Sequence, residues 1–340
     1  MKNSQNKVTK MKDNNTCTFE GILGGRCSEK VYREGFCIFH YKGEKDVDEF
    51  TGKFLEYLKR EEGILREDAG IKDLQVQCER FVFPNGFSLF RKKINTEIVF
   101  IDPEFQGNAS FVQTTFKKSI KFFNPKFKGY VNFRSARFEG DIEFNGAEFY
   151  DNAFFQHATF NRKAIFIDNK FKKSAIFDNA RFSGITSFEE VKFNGSTKFT
   201  DTPFSEDVEF TSARFLSTVS FKDTKFYGKV DFSYAHFEKD AKFEYTKKES
   251  NKEDQRYGIF VCKGDDEVDF RYSVFNQPEK VKFVKTDLSK VLFSHSNVEN
   301  VHFIDVKWNT IGKVIKRKAI YDEIFDITLL KNINHIKNKI

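Results

Sequence analysis

Residues 133–155 read FRSARFEGDIEFNGAEFYDNAFF, and Phe recurs in this stretch at steps of five and six residues. The same alternation continues without exception from Phe100 to Phe243, so the repeating unit has 11 residues and occurs thirteen times. This series contains 27 of the 45 Phe in the 340-residue chain. An internal repeat therefore determines the fold of most of this chain.

The residue two positions before each Phe is usually small or β-branched. Side chains two residues apart share one face of an extended segment, so the Phe and the small residue are expected to point inward together. The residue between them is usually polar or charged and is expected to point outward. Examples of the small residue are Ala136, Ala147, Ala153, Ala158, Val131, Val191 and Thr197.

Glycine recurs two residues after the Phe that opens the six-residue step. An extra residue needs a turn there, and glycine adopts positive φ at little cost, so we expect these glycines to form positive-φ corners. They are Gly107, Gly129, Gly140, Gly184, Gly195 and Gly228.

An 11-residue period is also typical of a right-handed helical supercoil. Positions 0 and 5 of the unit would lie roughly 130° apart on a helix, which is too far for one narrow seam. The segment is also rich in Gly, Asn, Asp, Ser and Thr, which are poor residues for a helix interior. The repeat is therefore not helical.

Units such as Ala136-Arg137-Phe138-Glu139-Gly140 and Thr286-Asp287-Leu288-Ser289-Lys290 resemble the Phe-centred branch of the pentapeptide-repeat family. The resemblance implies an all-β fold, a right-handed quadrilateral β-solenoid with short helical or irregular caps at both ends. In the family each side of a coil takes five residues, whereas in this chain every second side takes six. If two units form one 22-residue coil, residues 100–243 make six or seven coils stacked at about 4.8 Å.

The rest of the chain divides around this ladder. Asp46 and Glu49 have the spacing of a capping box, and Phe50, Phe54 and Leu58 predict one apolar helix face, which we expect to cover an open end of the solenoid. The predicted segments are a Cys/His zinc-binding-like segment at 1–43, a helical or irregular cap at 44–98, the Phe-ladder solenoid at 99–243, a charged insert loop at 244–269, further pentapeptide coils at 270–308 and a helical cap at 309–340. The last rests on an apolar stripe of Ile320, Ile324, Ile327 and Leu330.

The N-terminal segment contains Cys17, Cys27, Cys37 and His40, with the spacing Cys-x9-Cys-x9-Cys-x2-His. Thiolates and imidazole are the ligands that zinc prefers, and four of them close a tetrahedral structural site. We therefore expect structural Zn²⁺ here. Unpaired buried thiols and a redox or catalytic role are the alternatives. Four protein ligands leave no open coordination position, which disfavours hydrolytic zinc chemistry.

Five cysteines, an odd number, favour a reducing compartment over a disulfide framework, and we expect a cytoplasmic protein. The polar start of the sequence predicts no signal peptide. No apolar run in the sequence approaches the length that a membrane-spanning helix needs. Cys78 and Cys262 are expected to be small core residues.

No residue is assigned a catalytic role, because every repeat places some polar residue outward and any triad would be arbitrary; no organic cofactor is assigned either. Residues 100–243 carry 21 Lys and Arg against 19 Asp and Glu, which argues against a mimic of duplex DNA. We predict a non-enzymatic scaffold or binding module for another macromolecule, a protein rather than a nucleic acid. The alternatives are a membrane-peripheral or channel-associated protein that uses the basic residues 309–340, or a nucleic-acid-related binder. The partner and the oligomeric state stay open.

Overall fold

The structure, a computed structural model, describes residues 16–21, 26–67, 75–247, 257–262, 264, 266–311 and 317–319. The chain winds through four parallel sheets in turn and forms a four-sided β-solenoid of about ten turns, in which every coil except the last two contributes one short strand to each side. This is the architecture that the Phe spacing and the family resemblance predicted.

Each side of the solenoid is one sheet, whose strands stack in the order of the coils. Sheet 1 contains Val76–Glu79, Ile98–Ile101, Ile120–Phe123, Ile142–Asn145, Ala164–Ile167, Thr186–Ser187, Val208–Glu209, Val230–Asp231, Val268–Asp269 and Val291–Leu292. Sheet 2 contains Val82–Phe83, Glu104–Phe105, Lys126–Phe127, Glu148–Phe149, Lys170–Phe171, Lys192–Phe193, Arg214–Phe215, His236–Phe237 and Val274–Phe275. Sheet 3 contains Phe87–Ser88, Ala109–Ser110, Val131–Asn132, Ala153–Phe154, Ala175–Ile176, Thr197–Lys198, Val219–Ser220, Ala241–Glu244, Val281–Val284 and His302–Ile304. Sheet 4 contains Lys93–Ile94, Thr115–Phe116, Arg137–Phe138, Thr159–Phe160, Arg181–Phe182, Pro203–Phe204, Lys225–Phe226 and Ile259–Phe260.

The register confirms the 22-residue coil. Val131 pairs with Ala153, and Ala153 pairs with Ala175, so each residue lies beside its equivalent on the next coil. The Phe rings consequently stack face to face from coil to coil, with centroids 4.4 Å apart for Phe149 and Phe171. The small residue two positions earlier is buried with its Phe, as expected; Ala153 and Phe155 are both fully buried.

The corners differ from the prediction. The left-handed residues lie two positions after the Phe that opens the five-residue step, and they are mostly Asp, Asn or Ser, such as Asn124 (φ 49°) and Asp168 (φ 51°). The glycines of the six-residue step do not have positive φ, so the predicted positive-φ role is wrong for them. Gly184 is needed for close approach instead, since an added Cβ would lie 2.6 Å from the carbonyl carbon of Arg162 on the preceding coil.

The solenoid also begins earlier than predicted. The region 44–98, predicted as a helical or irregular cap, contains a complete first coil that starts at Val76. The inward positions of this coil keep the alternation of five and six residues, but Phe occupies only one of them. They are Cys78, Phe83, Leu89 and Ile94, which stack beneath Phe100, Phe105, Phe111 and Phe116.

The charged insert is shorter than the predicted loop 244–269. Its residues Ile259–Phe260 form a strand of sheet 4, with the Phe260 ring 5.6 Å from that of Phe226. The last described coil is shorter than those of the ladder, since Phe283 pairs with Phe303 and only four five-residue steps separate them. This matches the uniform five-residue step of residues 283–308. A short 3-10 helix, Pro278–Lys280, lies at one corner.

The C-terminal segment also differs where it is described. Asn309–Ile311 and Arg317–Ala319 pair as antiparallel strands, so both segments are strands and not part of the helical cap predicted at 309–340. The rest of that predicted helix, including the stripe from Ile320 to Leu330, lies outside the described residues. None of the helices that the structure describes has the length and apolar character to cross a bilayer.

The predicted helix near the N-terminus is confirmed and is longer than expected. Helix α1 spans Val47–Glu67, and the Asp46 carboxylate accepts a hydrogen bond from the backbone N–H of Glu49 at 2.7 Å. Phe50, Phe54 and Leu58 are buried, and the Phe54 ring meets those of Phe83 and Phe87 edge-on. The helix therefore covers the first coil, as the apolar stripe predicted.

Candidate metal centre

The Cys/His segment folds back on itself before helix α1 begins. Bridges between Thr16 and Lys30 and between Glu20 and Arg26 hold its two arms antiparallel. A tight reversal at Gly35, with φ of 80°, then leads into a turn in which the Cys37 carbonyl accepts hydrogen bonds from the N–H groups of His40 and Tyr41. Both ends of the segment are thereby turned toward one point.

The four predicted ligands meet at that point. The ligand atoms of Cys17, Cys27, Cys37 and His40 all lie within 4.8 Å of one another. The sulfur atoms of Cys27 and Cys37 are 3.8 Å apart, and the Cys17 sulfur is 3.6 Å from His40 Nδ1. Zn–S bonds of about 2.3 Å in a tetrahedron place two sulfur atoms about 3.8 Å apart. The spacing of these donors therefore fits a tetrahedral zinc ion.

His40 is oriented by groups that the sequence did not point to. Its Nε2 lies 3.0 Å from the backbone carbonyl of Glu79, so Nε2–H donates there and Nδ1 is left to face the three sulfur atoms. The Phe19 ring stacks on the imidazole with centroids 3.8 Å apart, and the Phe81 ring meets it edge-on. A carbonyl partner of this kind commonly fixes the tautomer of a metal-ligating histidine.

Glu79 and Phe81 belong to the first coil, so the centre joins the N-terminal segment to the solenoid. The backbone N–H of Val82 also donates to the Phe39 carbonyl at 2.7 Å, and the Phe39 and Phe81 rings stack at 4.7 Å. The signal that could have revealed this contact is the continuation of the ladder through Cys78 and Phe83, which places residues 79–82 on the terminal coil.

The thiols titrate as one group. A hydrogen bond from the Cys37 thiol lowers the pKa of Cys27 to about 4, while the same contact and burial raise the pKa of Cys37 far above its usual range. Burial raises the pKa of Cys17. One thiolate is therefore favoured within the set, and a bound cation would replace the remaining thiol protons.

The donor set fits zinc as a structural ion. Three sulfur atoms and one imidazole nitrogen would complete its coordination, and Cys17, Cys37 and His40 are buried. Such an ion supplies folding energy by cross-linking distant parts of the chain. A cavity of about 260 Å³ lies beside Cys27 and His40 and is also lined by Tyr57 and Glu61 of helix α1.

The other two cysteines are not among the four clustered residues. Cys78 is fully buried in the first coil, and burial raises the pKa of its thiol well above the usual value. Cys262 is half-buried, its thiol donates to the Gly228 carbonyl at 3.2 Å, and burial raises its pKa to about 12. None of the five cysteines forms a disulfide.

Comparison with known proteins gives a family model and three matching chains of solved structures, two of which are described below. The model described as pentapeptide repeats (9 copies) matches residues 122–168, 177–224 and 199–247. One solved structure is HetL, a pentapeptide repeat protein involved in heterocyst differentiation regulation from the cyanobacterium Nostoc sp. strain PCC 7120. It is 12% identical over 76% of this chain and 97% of its own, with a TM-score of 0.30. The other is QnrB1, a plasmid-mediated fluoroquinolone resistance protein, 15% identical over 68% of this chain and 88% of its own, with a TM-score of 0.24. No curated protein matches the chain.

The family match coincides with the region where the 11-residue alternation is unbroken, and it begins after the Cys/His segment. The four-sided stack of parallel coils, the inward Phe and the small residue two positions before it are the features that the sequence resemblance had named. Residues 122–168 and 177–247 therefore match the pentapeptide-repeat family model, in agreement with the resemblance that the sequence indicated.

Proposed function

We propose that this protein is a non-enzymatic scaffold whose flat sides bind another macromolecule, and that the partner is a protein. The observation that carries the proposal is the register of the four sheets, which aligns outward side chains in columns along the whole stack. Such columns form broad, rigid surfaces on which a partner can lie without any rearrangement of the backbone.

The packed interior of the solenoid supports a binding role for its outer surface. Phe rings fill the described coils; Phe155, for example, lies 5.1 Å from Phe133 on one side and 4.7 Å from Phe177 on the other. Coils packed in this way leave no internal cleft for a substrate among the residues described. Many outward charges neutralise one another across coils, as in Lys128 with Glu104 and Lys172 with Glu148.

A protein partner is favoured over nucleic acid by the charge of the repeats. The 21 Lys and Arg of residues 100–243 are nearly balanced by 19 Asp and Glu, whereas a nucleic-acid surface needs a continuous excess of cations. Free thiols in all five cysteines also support the proposed cytoplasmic location, which cell fractionation would test.

We further propose that Cys17, Cys27, Cys37 and His40 hold Zn²⁺ as a structural ion. The purified protein should contain close to one equivalent of zinc, and Cys17→Ser should lower it below about half an equivalent. Cys78→Ser is the matched control and should retain the zinc. Zinc absent from the native protein, or unchanged in Cys17→Ser, would refute this assignment.

The scaffold function is tested by cross-linked affinity capture from the source lysate at moderate salt, read by mass spectrometry. The expected result is one or a few proteins whose capture is abolished by an excess of free bait and persists after nuclease treatment. Capture that depends on nucleic acid would contradict the proposal. Flotation with liposomes that requires residues 309–340 would instead favour the membrane-peripheral alternative.

A further inference from the structure

The outward column of sheet 4 alternates between cationic and neutral residues. Strand pairing places these side chains directly above one another, one per coil. In order of stacking they are Lys93, Thr115, Arg137, Thr159, Arg181, Pro203 and Lys225. Like charges on adjacent strands repel, and a neutral residue between them removes that repulsion without using an acidic partner.

Sheet 2 reduces the repulsion between like charges on adjacent strands in a different way. Its outward column reads Glu104, Lys126, Glu148, Lys170, Lys192, Arg214 and His236, so the first four positions alternate in sign. The corner residues beside Lys170 and Lys192 are acidic as well, namely Asp168 and Glu190. The first five charges of the sheet 2 column therefore lie beside an opposite charge in the column or at the corner, whereas Arg137 and Arg181 of sheet 4 have Ser135 and Asn179 at the corner and Thr159 between them.

The centre of sheet 4 carries the least compensated charge. Arg137 and Arg181 are exposed, and neither forms an ion pair with any residue that the structure describes. Glu139, two residues after Arg137, is held by Lys117 at 2.5 Å. The other side chains that flank this part of the column are polar, namely Ser135, His157, Asn161, Asn179 and Ser183.

The spacing of the arginines fits a particular ligand geometry. Arg137 and Arg181 are two coils apart, which corresponds to about 9.6 Å at the normal strand separation. A peptide in the polyproline II conformation presents every third residue on one side, at intervals of about 9.3 Å. Acidic side chains at every third position of such a peptide would therefore reach successive cations of the column and form charge-assisted hydrogen bonds.

We propose that sheet 4 is the partner-binding side of the scaffold and that it binds an extended acidic protein segment across Arg137 and Arg181. This inference rests on the proposed scaffold function. A nucleic acid fits less well, since its phosphates are more closely spaced than these cations. The outward residues Glu209 and Asp231 on the adjoining sheet 1 would also repel a polyanion long enough to extend over them.

The test uses fluorescence anisotropy with the full chain and a labelled peptide of four Glu-Pro-Pro repeats. The variant is Arg137→Gln/Arg181→Gln, and the matched control is Lys170→Gln/Arg214→Gln, which removes two charges, also two coils apart, from sheet 2. The first variant is expected to weaken binding about tenfold and the control less than about twofold. Thermal unfolding checks that both variants keep their fold.

Equal weakening by the two double variants would overturn the inference, since it would show attraction by net charge alone. Tighter binding of a 12-nucleotide oligo-dT, lost in Arg137→Gln/Arg181→Gln, would overturn it in favour of nucleic acid. Lysate capture separates this inference from the scaffold function. If the arginine variant captures the partner as well as the unaltered chain does, the scaffold remains and the assignment to sheet 4 fails. If no bait captures a protein, the scaffold function itself fails.

Discussion

The coils and the N-terminal cap of this protein are stabilised in opposite ways. Each coil repeats the contacts of its neighbours, and a typical ring such as Phe177 lies between Phe155 and Phe199 at 4.7 and 4.8 Å. The cap, residues 16–67, depends on a few contacts that occur once, namely the Cys/His centre and the edge-on packing of Phe50 and Phe54. We therefore expect damage to a coil to weaken the stack locally, whereas loss of one cap contact should release the cap as a unit.

The largest difference should follow removal of the proposed zinc ion. A chelator should make the backbone of residues 16–41 cleavable by protease and expose the thiols of Cys17, Cys27 and Cys37, because no repeated contact replaces the ion. The coils should remain resistant, and Cys78 should stay unreactive because it is fully buried.

Limited proteolysis and thiol titration with and without chelator, read by mass spectrometry, would measure this difference. Cys17→Ser should behave like the chelated protein even when zinc is present. Resistance of residues 16–41 after complete removal of zinc would show that the cap is held by its aromatic contacts alone.

The same contrast explains what could be predicted from sequence. The ladder could be predicted because one residue type marks one structural position thirteen times, and the clustering of Cys17, Cys27, Cys37 and His40 because their side chains are distinctive. The first coil was missed because Cys78, Leu89 and Ile94 fill the inward positions there. The role of the glycines was assigned wrongly because sequence shows that Cβ is absent but not whether φ or a close neighbour requires it. The Glu79 carbonyl that orients His40 is a backbone group, so only the continuation of the ladder, and not the residue type at position 79, could have indicated it.

The next largest effect is expected within the coils. Phe177→Ala should lower the free energy of unfolding by about 3–5 kcal/mol, because it removes a buried ring and leaves a cavity between two stacked neighbours. Phe54→Ala should instead loosen the cap, with little change in the protection of the central coils. Guanidinium unfolding together with hydrogen exchange would separate the two, and equal effects on cap and coils would contradict the comparison.

Replacing a glycine by alanine should lower the free energy of unfolding in the coils and raise it in helix α1. Gly184→Ala places a Cβ 2.6 Å from the carbonyl carbon of Arg162 and should destabilise the coils by about 1–3 kcal/mol. Gly52 lies inside helix α1 with no atom within 4 Å of an added Cβ, so Gly52→Ala should stabilise the helix by about 0.5–1 kcal/mol. Thermal and denaturant unfolding of both variants would test this, and a shared sign would refute it.

The smallest effect concerns pH. Burial lowers the pKa of Lys45 to about 7, against the opposing influence of Cys37 and Glu104, and the ammonium donates to the Val82 carbonyl. The unfolded chain binds a proton at this side chain up to about pH 10.4, so between pH 7 and that value the unfolded state holds more protons and stability should rise with pH. The destabilisation that comes from burying the charged Lys45 side chain is fully present below pH 7.

Lys45→Met removes the titrating group, so this variant is the reference for the unaltered protein at each pH. The stability of the unaltered protein relative to Lys45→Met should increase by less than about 1 kcal/mol from pH 7 to pH 9, because a half-buried ammonium remains partly hydrated. Parallel denaturant titrations at both pH values would measure the difference. A relative stability that falls over this interval would contradict the depressed pKa.

Each coil of the ladder consists of two repeating units, and this has a consequence for how such a chain can change in length. Duplicating or losing one whole coil returns every following side chain to the side of the solenoid that it occupied before. A change of a single unit also keeps each Phe in an inward position, but it rotates everything downstream by half a turn, so that sheet 2 continues into sheet 4 and sheet 1 into sheet 3. The interior therefore accepts a change of one unit or of one whole coil. A partner that binds one side of the solenoid, however, meets an unbroken column of side chains only when a whole coil has been added or lost.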